Sequence, residues 1–484
     1  MDHTISFAKG AQISTITASD RLCSVIQPFI QEIFNSLLEF NNFGQAILQA
    51  ANKHKKIADI FFDIDPNQIE TSFSLKKELL LLPDNPLLAL LFTNARYPPF
   101  LGKSGIESLQ DQAILPEIKK LFYLCGQSNL TYQQICEQIS ERGLVLLDQW
   151  LKCRIVQDKP CSRHISYQNL PGVFRLQHAS LLYRSKTTGV LVDPHLHSNY
   201  GISSLKEDIT RAKLEGLVDA ILISHSHYDH WHYPTLMMFP ADIPIIVPKV
   251  PQGTITCEDM EARLKSLGFE NVIAVDWYAA PITFGDIEIH VLPFYGEQPL
   301  VPEYAHPKYP ELRNWGNTYL LRTEDYTSWF LIDAGSEPTG SMVEVAEYVK
   351  EKFDHVDQII SNFQPLSYNS IGTDLSGWGI DIVGNLISNP QIFSVTNKQE
   401  GGYISTLGPK GVAELCAIVE AKYCLPYAHS WAELGSYTIH DEPLIRETED
   451  ELKNLGCSTK VIPWRIGDGY LCQDQDIICR PVFY

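Results

Sequence analysis

The most constraining feature of this chain is a run of six residues, His225-Ser226-His227-Tyr228-Asp229-His230. It contains three imidazoles and one carboxylate, and it directly follows the apolar stretch 218–224, which predicts a buried strand. A hydrophobic core does not need so many polar donors. Two metal ions in one pocket do, because each ion requires several fixed donors, of which neutral imidazole is the commonest. Since a strand that ends in such a loop holds the donors on a rigid support, the motif predicts a dinuclear metal site.

Composition argues against two kinds of partner. The net charge of −20 disfavours nucleic acid, because phosphate contacts require a basic surface. The longest apolar run is broken by Pro83 and Pro86, so no membrane span is expected. The 11 cysteines are odd in number and form no C-x-x-C pair, which favours reduced thiols, and the first residues lack the pattern of a signal peptide. We therefore expect a cytoplasmic protein.

The chain divides into two regions of different character. Residues 1–165 show apolar residues at helical spacing, which predicts a mostly helical N-terminal domain for docking or dimerisation, so a homodimer is one expectation. The polar segment Gln157–Arg163 contains a proline and is expected to be the linker. Residues 166–484 alternate strand-like runs, such as Val190–Val192 and Ala220–Ile223, with helical patterns. This alternation predicts an α/β domain with helices outside its sheets.

From about Gly172 onward, the order of elements around the histidine motif resembles the metallo-β-lactamase superfamily. The likeness rests on His178-Ala-Ser, on Leu191-Val-Asp193-Pro194 and on the motif itself. It implies an αβ/βα sandwich that binds two metal ions, preceded here by the helical N-terminal domain. The metal ligands that the resemblance implies are His225 and His227 for one ion, Asp229 and His230 for the other, Asp333 as a bridge, and His429 as the final ligand.

One position departs from the hydrolytic members of that superfamily. Where they place a further histidine, this chain has Glu297, in the stretch Val291–Glu297. Together with Asp229 and Asp333, Glu297 would bring three carboxylates to the site. Such a harder, more negative set of donors favours a redox metal over zinc.

This substitution resembles the di-iron β-hydroxylases of non-ribosomal peptide biosynthesis, as in the chloramphenicol pathway. The resemblance implies two iron ions, O2 as a co-substrate and an external electron donor. It also implies hydroxylation at the β-carbon of an amino acid tethered to a carrier protein. Glu297 and Asp333 are the candidate catalytic residues.

The residues leave alternatives open. The same motif fits a dinuclear zinc hydrolase of a phosphodiester, lactone or thioester, in which zinc lowers the pKa of bound water to about 7. A non-catalytic protein on a decayed scaffold is a weaker reading, since every ligand class is present. His306 is the rival of Glu297 as a ligand, whereas His178 and Asp193 are expected to hydrogen-bond near the metals. His232 is expected to be exposed or to support the ligands.

Four aromatic residues lie close to the ligand loops in the sequence: Tyr228, Trp231, Phe294 and Tyr295. They would either form the wall of an apolar pocket for an amino-acid side chain or pack into the ordinary core. The sequence does not separate these two outcomes.

Overall fold

The computed structural model places two large β-sheets face to face, with helices on their outer sides. It describes residues 3–40, 43–67, 73–76, 78, 87–94, 105–108, 112–160, 170–197, 209–227, 229–254, 257–296, 313–337, 339–367, 404–427, 441–464, 466–473 and 476–481. In that part of the chain no helix is both long enough and apolar enough to cross a membrane.

The N-terminal region contains more helix than strand. Its helices are α1 (Ala18–Phe40), α2 (Phe43–Lys53), α3 (Lys55–Phe61), α4 (Leu115–Gln127), α5 (Tyr132–Cys136) and α6 (Glu141–Lys152). Its strands are β1 (His3–Phe7), β2 (Ala11–Thr17), β3 (Phe62–Ile64), β4 (Phe73–Leu75), β5 (Leu87–Asn94), β6 (Gly105–Ser108) and β7 (Val156–Pro160). The prediction that helices predominate in this region is confirmed. The sequence analysis did not predict its β-strands.

The expected linker is wrong for its first four residues. Gln157 to Pro160 form most of β7, which pairs antiparallel with β1, so that Phe7 lies opposite Val156 and His3 opposite Pro160. This pairing joins residues from the two ends of the N-terminal region, and no local pattern in the sequence indicates it. Residues 161–163 of the expected linker lie outside the described part of the chain.

The first large sheet has eight strands. They are β8 (Gly172–Gln177), β9 (Ser180–Arg184), β10 (Gly189–Val192), β11 (Ala220–Leu222), β12 (Ile245–Pro248), β13 (Val272–Val275), β25 (Asp468–Gln473) and β26 (Asp476–Pro481). They lie in the order β13-β12-β11-β10-β9-β8-β25-β26, and β10 to β13 are mutually parallel. The parallel strands β10, β11 and β12 are buried along their whole length, which explains their continuous apolar sequences.

The second large sheet has seven strands. They are β14 (Ile282–Phe284), β15 (Ile287–Pro293), β16 (Asn317–Arg322), β17 (Thr327–Ile332), β20 (Gln358–Ser361), β23 (Tyr423–Pro426) and β24 (Lys460–Val461), and they lie in that order. Two short pairs complete the strands, β18 (Ser336–Glu337) with β19 (Gly340–Ser341) and β21 (Leu366–Ser367) with β22 (Ile404–Thr406). From β17 to β24 the strands are parallel.

Three buried clusters define four layers. The middle cluster contains side chains of both sheets, such as Val190 and Leu222 from the first and Val291 and Phe330 from the second. The second sheet is covered by α9 (Met342–Lys352), α10 (Gly408–Val419) and α11 (Asp441–Asn454). The first sheet is covered by α7 (Tyr233–Leu236), α8 (Met260–Ser266) and the N-terminal region. This arrangement is the αβ/βα sandwich predicted from the sequence.

The N-terminal region shares its core with the first sheet. Phe7, Phe122 and Trp150 belong to the same buried cluster as Leu182 and Ile221. The contact is also polar, because the backbone N–H of Ile13 donates to the carbonyl of His197 at 2.7 Å. The outer face of the sheet that carries the histidine motif is therefore covered partly by residues from far away in the sequence.

Candidate metal centre

Three segments that follow parallel strands bring the candidate ligands to one edge of the sandwich. Asp193 comes directly after β10, His225 follows β11 after a short extension, and Asp333 comes directly after β17. Asp193 and Ile332 have positive φ values of 43° and 62°. A left-handed conformation at a non-glycine residue costs about 1–3 kcal/mol and is typical of functional sites that the surrounding fold constrains.

Donor atoms of His225, His230 and Asp333 form a compact buried group. One ligand atom of each lies within 4.8 Å of the others. Nε2 of His230 is 2.7 Å from Oδ2 of Asp333 and 3.5 Å from Oδ2 of Asp229. The ring of His227 lies beside that of His225, with 4.5 Å between their centroids. The fold thus brings together the five candidate ligands that it describes.

A single buried carboxylate orients two of these histidines. Oδ2 of Asp193 accepts hydrogen bonds from Nδ1 of His230 at 2.9 Å and from the Ser224 hydroxyl at 2.6 Å. The same hydroxyl lies 2.8 Å from Nδ1 of His225. Since its proton goes to Asp193, the hydroxyl oxygen accepts from that Nδ1–H. Both Nδ1 atoms therefore carry protons, which leaves Nε2 of His225 and of His230 as the nitrogens able to bind a metal.

The other candidate ligands also have partners from distant parts of the chain. Nε2 of His178, in the turn between β8 and β9, lies 3.1 Å from Oδ2 of Asp229. The sequence predicts this hydrogen-bonding role for His178. The sequence analysis does not predict two further hydrogen-bond partners of the candidate ligands. The side-chain amide of Asn314 lies 3.1 Å from Nε2 of His227, and that of Asn362 donates to Oδ1 of Asp333 at 2.8 Å. Each is a lone asparagine after a strand or in a loop, and neither carries a local sequence signal.

The electrostatics of the group favour a bound cation. Burial, followed by repulsion from His230 and His227, holds the pKa of His225 well below its ordinary value. Burial opposes the charged form of His230, but Asp229 and Asp333 outweigh it and raise the pKa of His230 well above its ordinary value. Burial likewise opposes ionisation of Asp229, yet His230 and His178 hold its pKa well below the usual range.

These carboxylates would be costly to bury without a positive charge. Neutral imidazole and carboxylate donors at this spacing are the set that iron and zinc bind in proteins. The residues present therefore fit a divalent metal ion.

Two of the aromatic residues near the motif are part of the packed core. The Phe294 ring stacks on His225 with 4.8 Å between centroids and is fully buried. The indole N–H of Trp231 donates to Glu258, which also accepts from the Tyr233 hydroxyl. Core packing is therefore the outcome for Phe294 and Trp231. Tyr295 is half-buried, and Tyr228 lies outside the described residues.

His232 is buried, which excludes the exposed position, one of the two alternatives expected for it. Its Nε2–H donates to the carbonyl of Ile13 in β2 at 2.8 Å, and its Nδ1 accepts from the Thr235 backbone N–H at 3.3 Å. His197 makes a similar contact, since its Nδ1 lies 3.3 Å from the carbonyl of Ala11. Through these hydrogen bonds, His232 and His197 connect the region of the candidate metal centre to the N-terminal region.

Three residues from the sequence prediction, Glu297, His306 and His429, lie outside the described residues. Their assignment, including the choice between Glu297 and His306, therefore stays a prediction.

Comparison with known proteins gives one similar sequence. No family model matches this chain. A curated relative, the 4-amino-L-phenylalanyl-(CmlP-peptidyl-carrier-protein) 3-hydroxylase of Streptomyces venezuelae, is 31% identical over 121 residues. The match spans 25% of this chain and 23% of the relative, so less than a quarter of the relative's length is covered.

Solved structures extend the likeness to almost the whole chain. CmlA, a di-iron β-hydroxylase from Streptomyces venezuelae, superposes with a TM-score of 0.54 at 15% identity, covering 96% of this chain and 99% of CmlA. A CmlA variant with glutamate replaced by aspartate gives a TM-score of 0.52 at 16% identity, covering 95% and 98%. At such identities the likeness shows a common fold. The chain therefore shares its fold with CmlA over almost its whole length, and at the level of fold the expected resemblance to a di-iron β-hydroxylase is confirmed. The metallo-β-lactamase fold predicted from the sequence is confirmed as well.

Proposed function

We propose that this chain is a di-iron oxygenase that hydroxylates an amino acid tethered to a carrier protein, at its β-carbon. The reaction would consume O2, two electrons from an external donor and two protons; one oxygen atom enters the C–H bond and the other leaves as water. The observation that carries the proposal is the buried group of His225, His230 and Asp333. Glu297 in place of a histidine, and the similarity to the carrier-protein hydroxylase, direct the choice of reaction.

The proposed ligands are those that the family resemblance implies. His225 and His227 would bind one ion, Asp229 and His230 the other, and Asp333 would bridge them; Glu297 and His429 would complete the set. Iron, when bound, changes oxidation state and so supplies the oxidising power that C–H hydroxylation requires, which zinc cannot supply.

The surrounding residues have defined tasks in this proposal. Asp193 and Ser224 hold the Nδ1 protons of two histidines, so that each of these histidines presents its Nε2 atom to the ligand group. Phe294 covers one side of His225, and Gly316 packs against both of them, which excludes water from that side.

A zinc hydrolase of a phosphodiester, lactone or thioester is the second candidate. The described donors are imidazole nitrogens and carboxylate oxygens, which zinc accepts as readily as iron does. In that case the chain would use the same group to activate water, and Glu297 would be an unusual zinc ligand.

Metal analysis separates the two functions. The full chain is produced in medium supplemented with both iron and zinc, and its metal content and near-ultraviolet spectrum are measured. The oxygenase proposal predicts about two irons per chain and a ligand-to-metal band that bleaches on reduction. It also predicts that the reduced protein consumes O2, and that isotopically labelled O2 adds one labelled oxygen atom to an aminoacyl carrier protein. Two zinc ions, with no such band and no O2 consumption, would overturn it.

Single substitutions then test the ligands. His230→Ala and Asp333→Ala should each lose metal, and unchanged metal content would contradict the assignment. Glu297→His should abolish O2 consumption in an oxygenase but improve zinc occupancy in a hydrolase. Glu351→His, at an exposed position on α9, is the matched control and should alter neither property.

A further inference from the structure

The backbone of the three residues before Glu297 forms hydrogen bonds to other parts of the chain, beyond those of strand pairing. The carbonyl of Phe294 accepts from Nη2 of Arg313 at 3.1 Å, and the carbonyl of Tyr295 accepts from the N–H of Gly335 at 2.6 Å. The N–H of Gly296 donates to Oε2 of Glu337 at 3.2 Å. The two peptide groups that join Phe294, Tyr295 and Gly296 are thus both hydrogen-bonded to another part of the chain.

Two of these attachments come from one buried ion pair. Nη2 of Arg313 lies 2.9 Å from Oε2 of Glu337, and the two side chains are only 10% and 2% exposed. The guanidinium lies 4.8 Å from the Trp277 ring centroid, 5.0 Å from that of Trp315 and 5.7 Å from that of Tyr295. Arginine keeps its charge in such surroundings, and its planar fork can contact a carbonyl, a carboxylate and aromatic faces together.

The backbone around the pair leaves little room for another arrangement. Gly296 has φ 106°, a conformation that residues with a side chain rarely adopt. A Cβ on Gly340, in β19, would clash with the Tyr295 ring. The segment 294–296 is therefore confined both by hydrogen bonds and by close packing.

The same pair connects this segment to the Asp333 loop. Gly335 and Glu337 follow Asp333 by two and four residues and contact Tyr295 and Gly296. A buried ion pair is a weak means of stabilising a fold, because desolvation offsets much of the attraction. Here the pair has a geometric effect, because it connects the loop that contains Asp333 to Gly296, the residue before Glu297.

We propose that Arg313 and Glu337 are positioning residues that set the place of Glu297 relative to Asp333 in the metal centre. The proposal rests on the ligand assignment of the proposed function, but not on iron or on the reaction. Glu337 would act through the Gly296 peptide, and Arg313 would act through Glu337 and the Phe294 carbonyl.

Binding of cobalt(II) tests this positioning role without any catalytic turnover. Metal-free full-length protein is titrated with Co²⁺, and both the dissociation constant and the visible absorption spectrum, which reports the donors around cobalt, are recorded. The variants are Arg313→Lys, Glu337→Gln, Glu297→Gln and the doubles with Glu297→Gln. The matched control is Lys249→Ala, which breaks the exposed 2.7 Å ion pair between Lys249 and Asp276.

We expect Arg313→Lys and Glu337→Gln each to weaken Co²⁺ binding about 10- to 100-fold. Each should shift the spectrum in the direction that Glu297→Gln does, whereas Lys249→Ala should leave both readouts unchanged. Once Glu297 is replaced, the positioning changes should add little, because the residues act as one unit. An unchanged spectrum in the folded variants, or effects that add fully to that of Glu297→Gln, would overturn the proposal.

Folding is checked by circular dichroism before each titration. If Arg313→Lys does not fold, Glu337→Gln decides the outcome in the same cycle, since it keeps the size of the side chain but removes the charge and one acceptor oxygen. Absence of O2 consumption would contradict the hydroxylase without affecting the cobalt result, so the two proposals fail separately.

Discussion

Asp193 lies 2.9 Å from Nδ1 of His230 and holds that histidine from behind, on the side away from Asp333. Through the Ser224 hydroxyl the same carboxylate also orients His225. One buried group outside the candidate ligand set thus determines which nitrogen two candidate ligands present.

Asp193→Asn should therefore weaken metal binding about 10- to 100-fold while leaving the fold intact. The amide keeps the shape of the side chain, but its NH2 group cannot accept the hydrogen bond of the histidine or serine that faces it. The measurement is competition with a chelator at constant pH, with the exposed Asp276→Asn as control. Equal affinity in wild type and Asp193→Asn would contradict the orienting role.

Gly316→Ala should reduce stability by about 1–3 kcal/mol, because overpacking forces neighbouring groups to move. An added Cβ would lie 2.7 Å from the Phe294 ring and 3.1 Å from Cβ of His225. Urea unfolding of the metal-free protein measures the cost. Combination with Phe294→Leu should recover part of it, and a strictly additive double variant would show that the ring is not the obstacle.

His232 should make stability fall on the acid side. Burial lowers the pKa of His232 to about 4 from an ordinary value of 6.5. The unfolded chain therefore binds more protons between these values, so the stabilisation is complete above pH 6.5 and is lost as the pH falls towards 4. The size of this stabilisation is about 3–4 kcal/mol, because each unit of pKa difference corresponds to about 1.4 kcal/mol.

Unfolding of His232→Gln across that pH range tests the assignment. Glutamine can still donate to the Ile13 carbonyl but does not titrate. The free energy of unfolding of the variant should therefore depend less steeply on pH. His3→Gln, at an exposed position, should keep the slope of the wild type. If the slopes of wild type and His232→Gln coincide, His232 is not the source.

Removal of residues 1–165 should leave a chain that aggregates or binds a hydrophobic dye. Phe7, Phe122 and Trp150 share a buried cluster with Leu182 and Ile221 of the first sheet, so truncation would expose that face. Size-exclusion chromatography and dye fluorescence of residues 166–484 are the measurements. A monomeric fragment with unchanged metal affinity would show that the shared core is dispensable.

The fold was largely predictable because its signals are local. Strands such as β11 are buried along their whole length, and so they read as unbroken apolar runs. Thr131 caps α5 through a capping box with Gln134, a signal that is local because it depends only on residues three apart. Pairings such as β1 with β7 could not be predicted, since their register depends on a fold that closes over most of the N-terminal region.

In the candidate site too, local features were predictable and contacts between distant residues were not. The spacing of His225, His227, Asp229 and His230 was enough to predict a metal site, because four donors within six residues on one loop must lie close together. Their supporting partners could not be found in this way. Asn314 is 87 residues from His227 and Asn362 is 29 residues from Asp333.

By itself the sequence determined the layered α/β architecture and the chemical character of the candidate site, because both follow from periodicity and from residue types at short spacing. The tertiary structure decided what depends on distant segments meeting. It determined which nitrogen of His225 and of His230 is available, through Asp193, and it placed an Arg313–Glu337 ion pair behind the residue that precedes Glu297. Hydrogen bonds and packing act over a few ångströms, so only the folded chain can bring such partners within reach of one another.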